Sequence, residues 1–145
     1  MIKEKKFFFF GFGQVSKYFV KDLIKKRKKF KLISTSTKKT HSKSITKKKF
    51  KSFFFKDKSY DNGIKNKLTD SNCILVSIPP KKNTDLVLKN FKKDLLKGDP
   101  KKIVYLSSTS VYGDHNGKWV DEKSKLKPIS KFGKHRLQCE KKWLK

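Results

Sequence analysis

Four consecutive phenylalanines, Phe7 to Phe10, run into Gly11-Phe12-Gly13, and the residues directly after them carry apolar side chains at helical spacing. A continuous apolar run of strand length that ends in glycine fits a strand buried on both faces, as in a parallel sheet, better than one half exposed to water. Across residues 14–28, Val15, Phe19 and Leu23 recur every four positions with Val20 and Ile24 beside them. One stripe of that helix can pack on a sheet while lysines cover the other. Strand, glycine turn and helix in this order predict a sheet core with helices outside it.

The rest of the chain repeats the alternation. Residues 30–34 and 52–55 read as a second and third strand, with one short helix as the expectation for 38–51 between them. Residues 72–78 (NCILVSI) give a fourth strand, stopped by Pro79 and Pro80. A helix over 85–97 points Leu88, Phe91 and Leu95 inward and is ended by Gly98 and Pro100. Residues 103–107 form a fifth strand, a long polar loop follows, and a last helix starts near Ser130. Strands alternating with helices through short connections imply an α/β, Rossmann-like doubly wound parallel sheet, one domain over residues 1–145.

The net charge of +28 suggests nucleic acid or an anionic membrane as partner. Two features argue against both. Of 40 basic residues only Arg27 and Arg136 are arginine, the side chain favoured for bidentate recognition of phosphates and bases. The chain also has 13 Phe and no Ala, the mark of an AT-rich coding bias that inflates lysine everywhere. No specific nucleic acid and no membrane is therefore expected as partner. Cys73 and Cys139 form no C-x-x-C pair, and His41, His115 and His135 form no metal-ligand pattern, so inert thiols, no metal and a cytoplasmic location are the expectations.

Gly11-Phe12-Gly13-Gln14-Val15-Ser16 matches the dinucleotide fingerprint G-x-G-x-x-G except for Ser16 at the third glycine. Gly11 permits the tight turn, and Gly13 lets the backbone approach a pyrophosphate. The helix beginning at Gln14 and Val15 supplies free N–H groups and a positive dipole end. An RNA-binding aromatic strand of the RRM type would need a basic residue before the first glycine and an aromatic after the second, where Phe10 and Gln14 stand. About 20 residues beyond such a loop a carboxylate ordinarily holds the ribose of NAD. Here the neighbourhood is Ser34-Thr35-Ser36-Thr37-Lys38-Lys39, without a carboxylate. Thr35 and Lys38 suit a 2′-phosphate, so NADP is preferred to NAD.

The fifth strand ends in Ser107-Ser108-Thr109-Ser110-Val111-Tyr112-Gly113, and Pro128-Ile129-Ser130-Lys131-Phe132-Gly133-Lys134-His135-Arg136 comes later. With Asp121-Glu122 between them, these segments resemble the NAD(P)-dependent epimerase/dehydratase family of extended short-chain dehydrogenase/reductases. Its members carry S-S-x-x-V-Y-G, an acidic loop and P-x-S-x-Y-G-x-x-K in that order. The resemblance implies an oxidoreductase-like protein acting on a small, sugar-like substrate, with a separately encoded C-terminal half or a homo-oligomer as further partner. It implies that Ser77 and Pro79 lie where the fourth strand meets the cofactor, and that Ser108 is the hydroxyl holding the reacting oxygen. Phe132 stands at the position of the catalytic Tyr and Arg136 at that of the Lys, which also contacts ribose. Phe132 has no proton to exchange, so the alternative is a dinucleotide-binding sensor or subunit without turnover. The resemblance spans the whole chain but only part of a family member. The expectation is a portion truncated before the C-terminal substrate-binding region: a fragment, a gene remnant or half of a split protein.

Overall fold

A computed structural model of the chain describes residues 4–145. All five strands expected from the sequence form, and they make one parallel set: β1 (Lys5–Phe10), β2 (Phe30–Ser36), β4 (Lys48–Lys56), β6 (Cys73–Val76) and β7 (Lys102–Tyr105). Two further strands are β3 (His41–Ile45) and β5 (Ser59–Tyr60), and the helices are α1 (Gln14–Lys25), α2 (Gly63–Thr69), α3 (Leu86–Gly98) and α4 (Lys131–Trp143). The sheet order is β3-β4-β2-β1-β6-β7, with β5 pairing off β4. The chain winds outward from β1 through β2 to β4, then returns to the other side of β1 for β6 and β7. That reversal is the doubly wound topology, and its switch point lies between β1 and β6.

The phenylalanine run explains why β1 is central. Side chains alternate across a strand, and Phe8 and Phe10 enter one core with Phe53, Phe55, Ile64, Leu68, Ile74, Val76, Val87, Phe91 and Leu95. Phe7 and Phe9 enter the other, with Val20, Phe30, Leu32, Ile45 and Phe50. Ile64 and Leu68 of α2 and Val87, Phe91 and Leu95 of α3 cover the first face, and α1 covers the second through Val20, Leu23 and Ile24. Val15 and Phe19 lie at the flank of α1, 55% and 40% exposed, beside an open groove floored by Phe7, Phe9, Leu75 and Val104.

Four expectations are corrected. Residues 38–51 hold no helix: β3 and β4 form an antiparallel hairpin in register Ile45↔Lys48 to His41↔Ser52, so the sheet has one antiparallel edge. Helix α1 stops at Lys25, not Lys28. In α3 the buried apolar set is Val87, Phe91 and Leu95, with Leu88 half-buried. The left-handed residue ending α3 is Asp99 (φ 44°), whereas Gly98 is where the helix touches α2: a Cβ there would lie 2.7 Å from the Thr69 Cα. Both cysteines are free, and burial pushes the Cys139 thiol pKa up.

Candidate dinucleotide and acid–base site

At the C-terminal ends of β1, β2 and β6 a cavity of about 490 Å³ opens over the start of α1. Its lining includes Gly11, Phe12, Gly13, Gln14, Val15 and Ser16 from the glycine loop, Thr35, Ser36 and Thr37 from the end of β2, Lys43 from β3, and Ser77, Ile78 and Leu106. Gly11 takes φ +86°, a region closed to most L-residues, and a Cβ there would lie 2.8 Å from Ser77 Oγ. The turn is fastened at both sides. The Gly11 N–H donates to Thr35 Oγ1 at 3.0 Å, and Ser77 Oγ donates to the Phe10 carbonyl at 2.9 Å.

Gly13, the N-cap of α1, is open: a Cβ built on it meets nothing within 4 Å. No side chain caps the helix and its first turn holds no acidic residue, so the leading N–H groups and the dipole face the cavity uncompensated. The Ser16 hydroxyl is fully buried and has no hydrogen-bond partner. A buried, unpartnered hydroxyl at a helix N-terminus is costly unless something polar meets it. The open Gly13 and the uncapped helix end are the features of a phosphate cradle.

Beyond the C-terminal end of β7, Ser108 caps a 3-10 turn (Thr109–Val111); its Oγ accepts from the Ser110 N–H and lies 2.9 Å from Ser110 Oγ. Helix α4, capped by Ser130 Oγ on the Gly133 N–H at 3.0 Å, rests on this turn at Gly133, where an added Cβ would lie 2.4 Å from the Ser110 carbonyl oxygen. That contact brings Phe132 and Arg136, one helical turn apart, to the end of β7. Phe132 is 50% exposed, while Arg136 is buried. Arg136 Nη1 donates to the Leu106 carbonyl at 3.0 Å and lies 3.4 Å from the Tyr105 hydroxyl. The guanidinium carbon sits 5.3 Å from the Phe132 ring centroid and 5.9 Å from that of Tyr105. Burial pushes the Tyr105 phenol pKa up, and the bond and charge of Arg136 oppose that shift.

The positions singled out in the sequence therefore fall in two places. Gly11, Gly13, Gln14, Val15, Thr35 and Ser77 line the cavity, whereas Lys38 and the exposed Pro79 do not. Ser108, Phe132 and Arg136 gather at the end of β7, with Leu106 shared between the two. Sequence reasoning missed Lys43, because it sits on the hairpin that was not foreseen, and the Tyr105 partner of Arg136. Among the described residues no group of three His, Cys, Asp or Glu side chains could hold a metal, and no helix is long and apolar enough to cross a membrane.

No family model and no curated protein matches the chain. Solved structures do. A conserved protein of unknown function from Silicibacter pomeroyi superposes with a TM-score of 0.72 at 22% identity, covering 96% of this chain and 48% of that one. The UDP-N-acetylglucosamine 4-epimerase of Bacillus cereus gives 0.65 at 18% identity over 96% and 53%. The UDP-glucuronic acid 4-epimerase of Bacillus cereus, solved with UDP-glucuronic acid and NAD, gives 0.64 at 17% over 94% and 50%. This chain has the fold these proteins share. It spans about half the length of each.

Proposed function

We propose that this chain is the dinucleotide-binding part of an NAD(P)-dependent epimerase/dehydratase-type protein, that it takes NADP in preference to NAD, and that its acid–base site is degenerate. The observation that carries the reading is the cradle at the switch point: an open Gly13 and an uncapped helix N-terminus, both facing one cavity. Those groups fit a pyrophosphate, which brings negative charge to the helix end. The likeness in fold to a UDP-glucuronic acid 4-epimerase solved with UDP-glucuronic acid and NAD supports the same reading and extends it to a small, sugar-like substrate.

In this proposal the backbone of Gly11, Gly13, Gln14 and Val15 receives the phosphates, the Thr35 to Thr37 segment faces the adenosine ribose, and Ser77 flanks the cofactor at β6, whereas Lys38 and Pro79 lie outside the cavity lining. A bound NAD(P) supplies or accepts hydride at its nicotinamide ring. Ser108 holds the reacting oxygen of the substrate, Phe132 offers no proton, and Arg136 is turned to the Leu106 carbonyl. That commitment of Arg136 favours a second reading, a sensor or subunit that binds the dinucleotide without turnover. A homo-oligomer or a second polypeptide as partner, and a cytoplasmic location, belong to the same proposal. Calorimetric titration tests it. NADP(H) is expected to bind, and Gly13→Asp to abolish binding without lowering the melting temperature, because the added Cβ meets no protein atom within 4 Å and Asp is a favoured N-cap at this uncapped helix end. Undiminished binding in Gly13→Asp would sink the assignment.

A further inference from the structure

We propose that Lys43, on the antiparallel strand β3, is the residue that recognises a phosphate monoester on the adenosine ribose, and so sets the choice between NADP and NAD. The inference rests on the dinucleotide reading above. In a sheet of this order the adenosine ribose lies at the C-terminal end of β2. Of the two residues expected to meet it there, Thr35 is only 2% exposed with its Oγ1 accepting from the Gly11 N–H, and Lys38 does not line the cavity. Lys43 does line it. The hairpin carries this side chain back over the glycine loop, with Nζ 5.6 Å from the Phe12 ring centroid. Phe12 in turn leans on Phe50 of β4 at 4.8 Å between centroids, so the ring that supports the ammonium is itself fixed.

The charge around Lys43 is unbalanced. It is half-buried and makes no ion pair among the described residues. Burial first, then the charges of Lys17 on α1 and Lys38 after β2, push its pKa down. For a cation this means that holding the charge at neutral pH costs folding free energy, a cost that a nearby anion removes. A phosphate monoester carries about −1.5 to −2 charges at neutral pH and offers three acceptor oxygens. The 2′-hydroxyl of NAD offers neither. The pyrophosphate is met by the helix end at the loop, which leaves Lys43 for the phosphate monoester.

The test compares NADP with NAD, and adenosine 2′,5′-bisphosphate with 5′-AMP, by calorimetry on the unaltered chain, Lys43→Met and Lys43→Arg. The unaltered chain should prefer the 2′-phosphorylated member of each pair by about tenfold or more, the scale of one charge-assisted hydrogen bond. Lys43→Met should erase that preference while leaving NAD affinity within about twofold, which also reports an intact fold, and Lys43→Arg should retain it. An unchanged NADP/NAD ratio in Lys43→Met, or an equal loss for both cofactors, would overturn the assignment while leaving the dinucleotide reading standing. Failure of the unaltered chain to bind either cofactor would overturn both.

Discussion

Gly133→Ala should destabilise this protein although it places a better helix former within a helix. The added Cβ would lie 2.4 Å from the Ser110 carbonyl oxygen, 3.1 Å from its carbon and 3.2 Å from the Pro128 Cβ. Ordinary contact begins near 3.4 Å, so α4 must withdraw from the turn by about 1 Å (3.4 − 2.4), against backbone that has no side-chain torsion to relieve it. Overpacking of this kind costs about 1–3 kcal/mol, and the loss of glycine's backbone freedom returns about 0.5–1 kcal/mol. At 2.4 Å from a backbone oxygen the cost lies in the upper part of that range, about 2–3 kcal/mol, so the balance is a destabilisation of about 1–2.5 kcal/mol, a fall in Tm of roughly 2–10 °C for a domain of this size. The same withdrawal stretches the Arg136–Leu106 bond, now 3.0 Å, which ties the candidate acid–base helix to β7. Thermal denaturation followed by circular dichroism measures the effect. At a helical glycine facing solvent the substitution would raise Tm, so an unchanged or higher Tm in Gly133→Ala would refute the packing of α4 on Ser110.

Two further outcomes bear on the end of β7. NADP(H)-linked turnover of sugar and hydroxy-carbonyl substrates should be near background in the unaltered protein, and Phe132→Tyr/Arg136→Lys should raise it within the ~10²–10⁴-fold range of general acid–base catalysis; robust unaltered turnover that Ser108→Ala abolishes would overturn the degenerate site. The Tyr105 phenol, raised from its ordinary 10.0 by burial, stays protonated in the fold at pH values where the unfolded chain ionises. Its contribution to stability is thus present below about pH 10 and lost as pH rises through the folded value. Denaturant melts from neutral to strongly alkaline pH should show a steeper decline for the unaltered chain than for Tyr105→Phe, and parallel profiles would count against this burial.

The parallel sheet was legible because its signals are local and redundant. The Phe7 to Phe10 run, the glycine turn and the apolar stripe of α1 each point to the same strand–turn–helix unit, and Asn72 to Val76 repeats the pattern of a buried strand. The hairpin was not legible. Two-residue hairpin turns are usually marked by Asn-Gly or a relative, whereas β3 and β4 turn through Thr46-Lys47 with Thr46 at φ 53°. Its strands contribute few apolar contacts before Phe53, chiefly Ile45 and Phe50 among serines and lysines. Helix α2 escaped for a similar reason, since only Ile64 and Leu68 are buried in seven residues. The cost at the site was Lys43, which cannot be placed at the glycine loop until the hairpin folds over it. The glycine motif itself needed no such knowledge, because Gly11 to Ser16 are contiguous, although the Thr35 and Ser77 hydroxyls that fasten the turn come from distant strands.

Phe132 and Arg136 are better understood as one change than as two. A phenol beside an ammonium works because the compact charge lies near the oxygen and lowers its pKa. A guanidinium is planar, carries its charge over a wider fork and stacks well on aromatic faces. Here it does both: it donates to Leu106 and lies against the rings of Phe132 and Tyr105. Contacts of this cation–π kind contribute about 0.5–2 kcal/mol, more as they are desolvated, and Arg136 is only 6% exposed. Phe132 thus serves as a wall for the cation, and in the proposed reading it stands in place of the group that cation would activate. Phe132→Tyr alone would add a phenol beside a charge aimed at a backbone carbonyl, and Arg136→Lys alone would give up the stacking with no phenol to act on. Residues in direct contact couple by about 0.5–3 kcal/mol, so the double variant's effect should depart from the sum of the singles, both in stability and in any turnover it acquires.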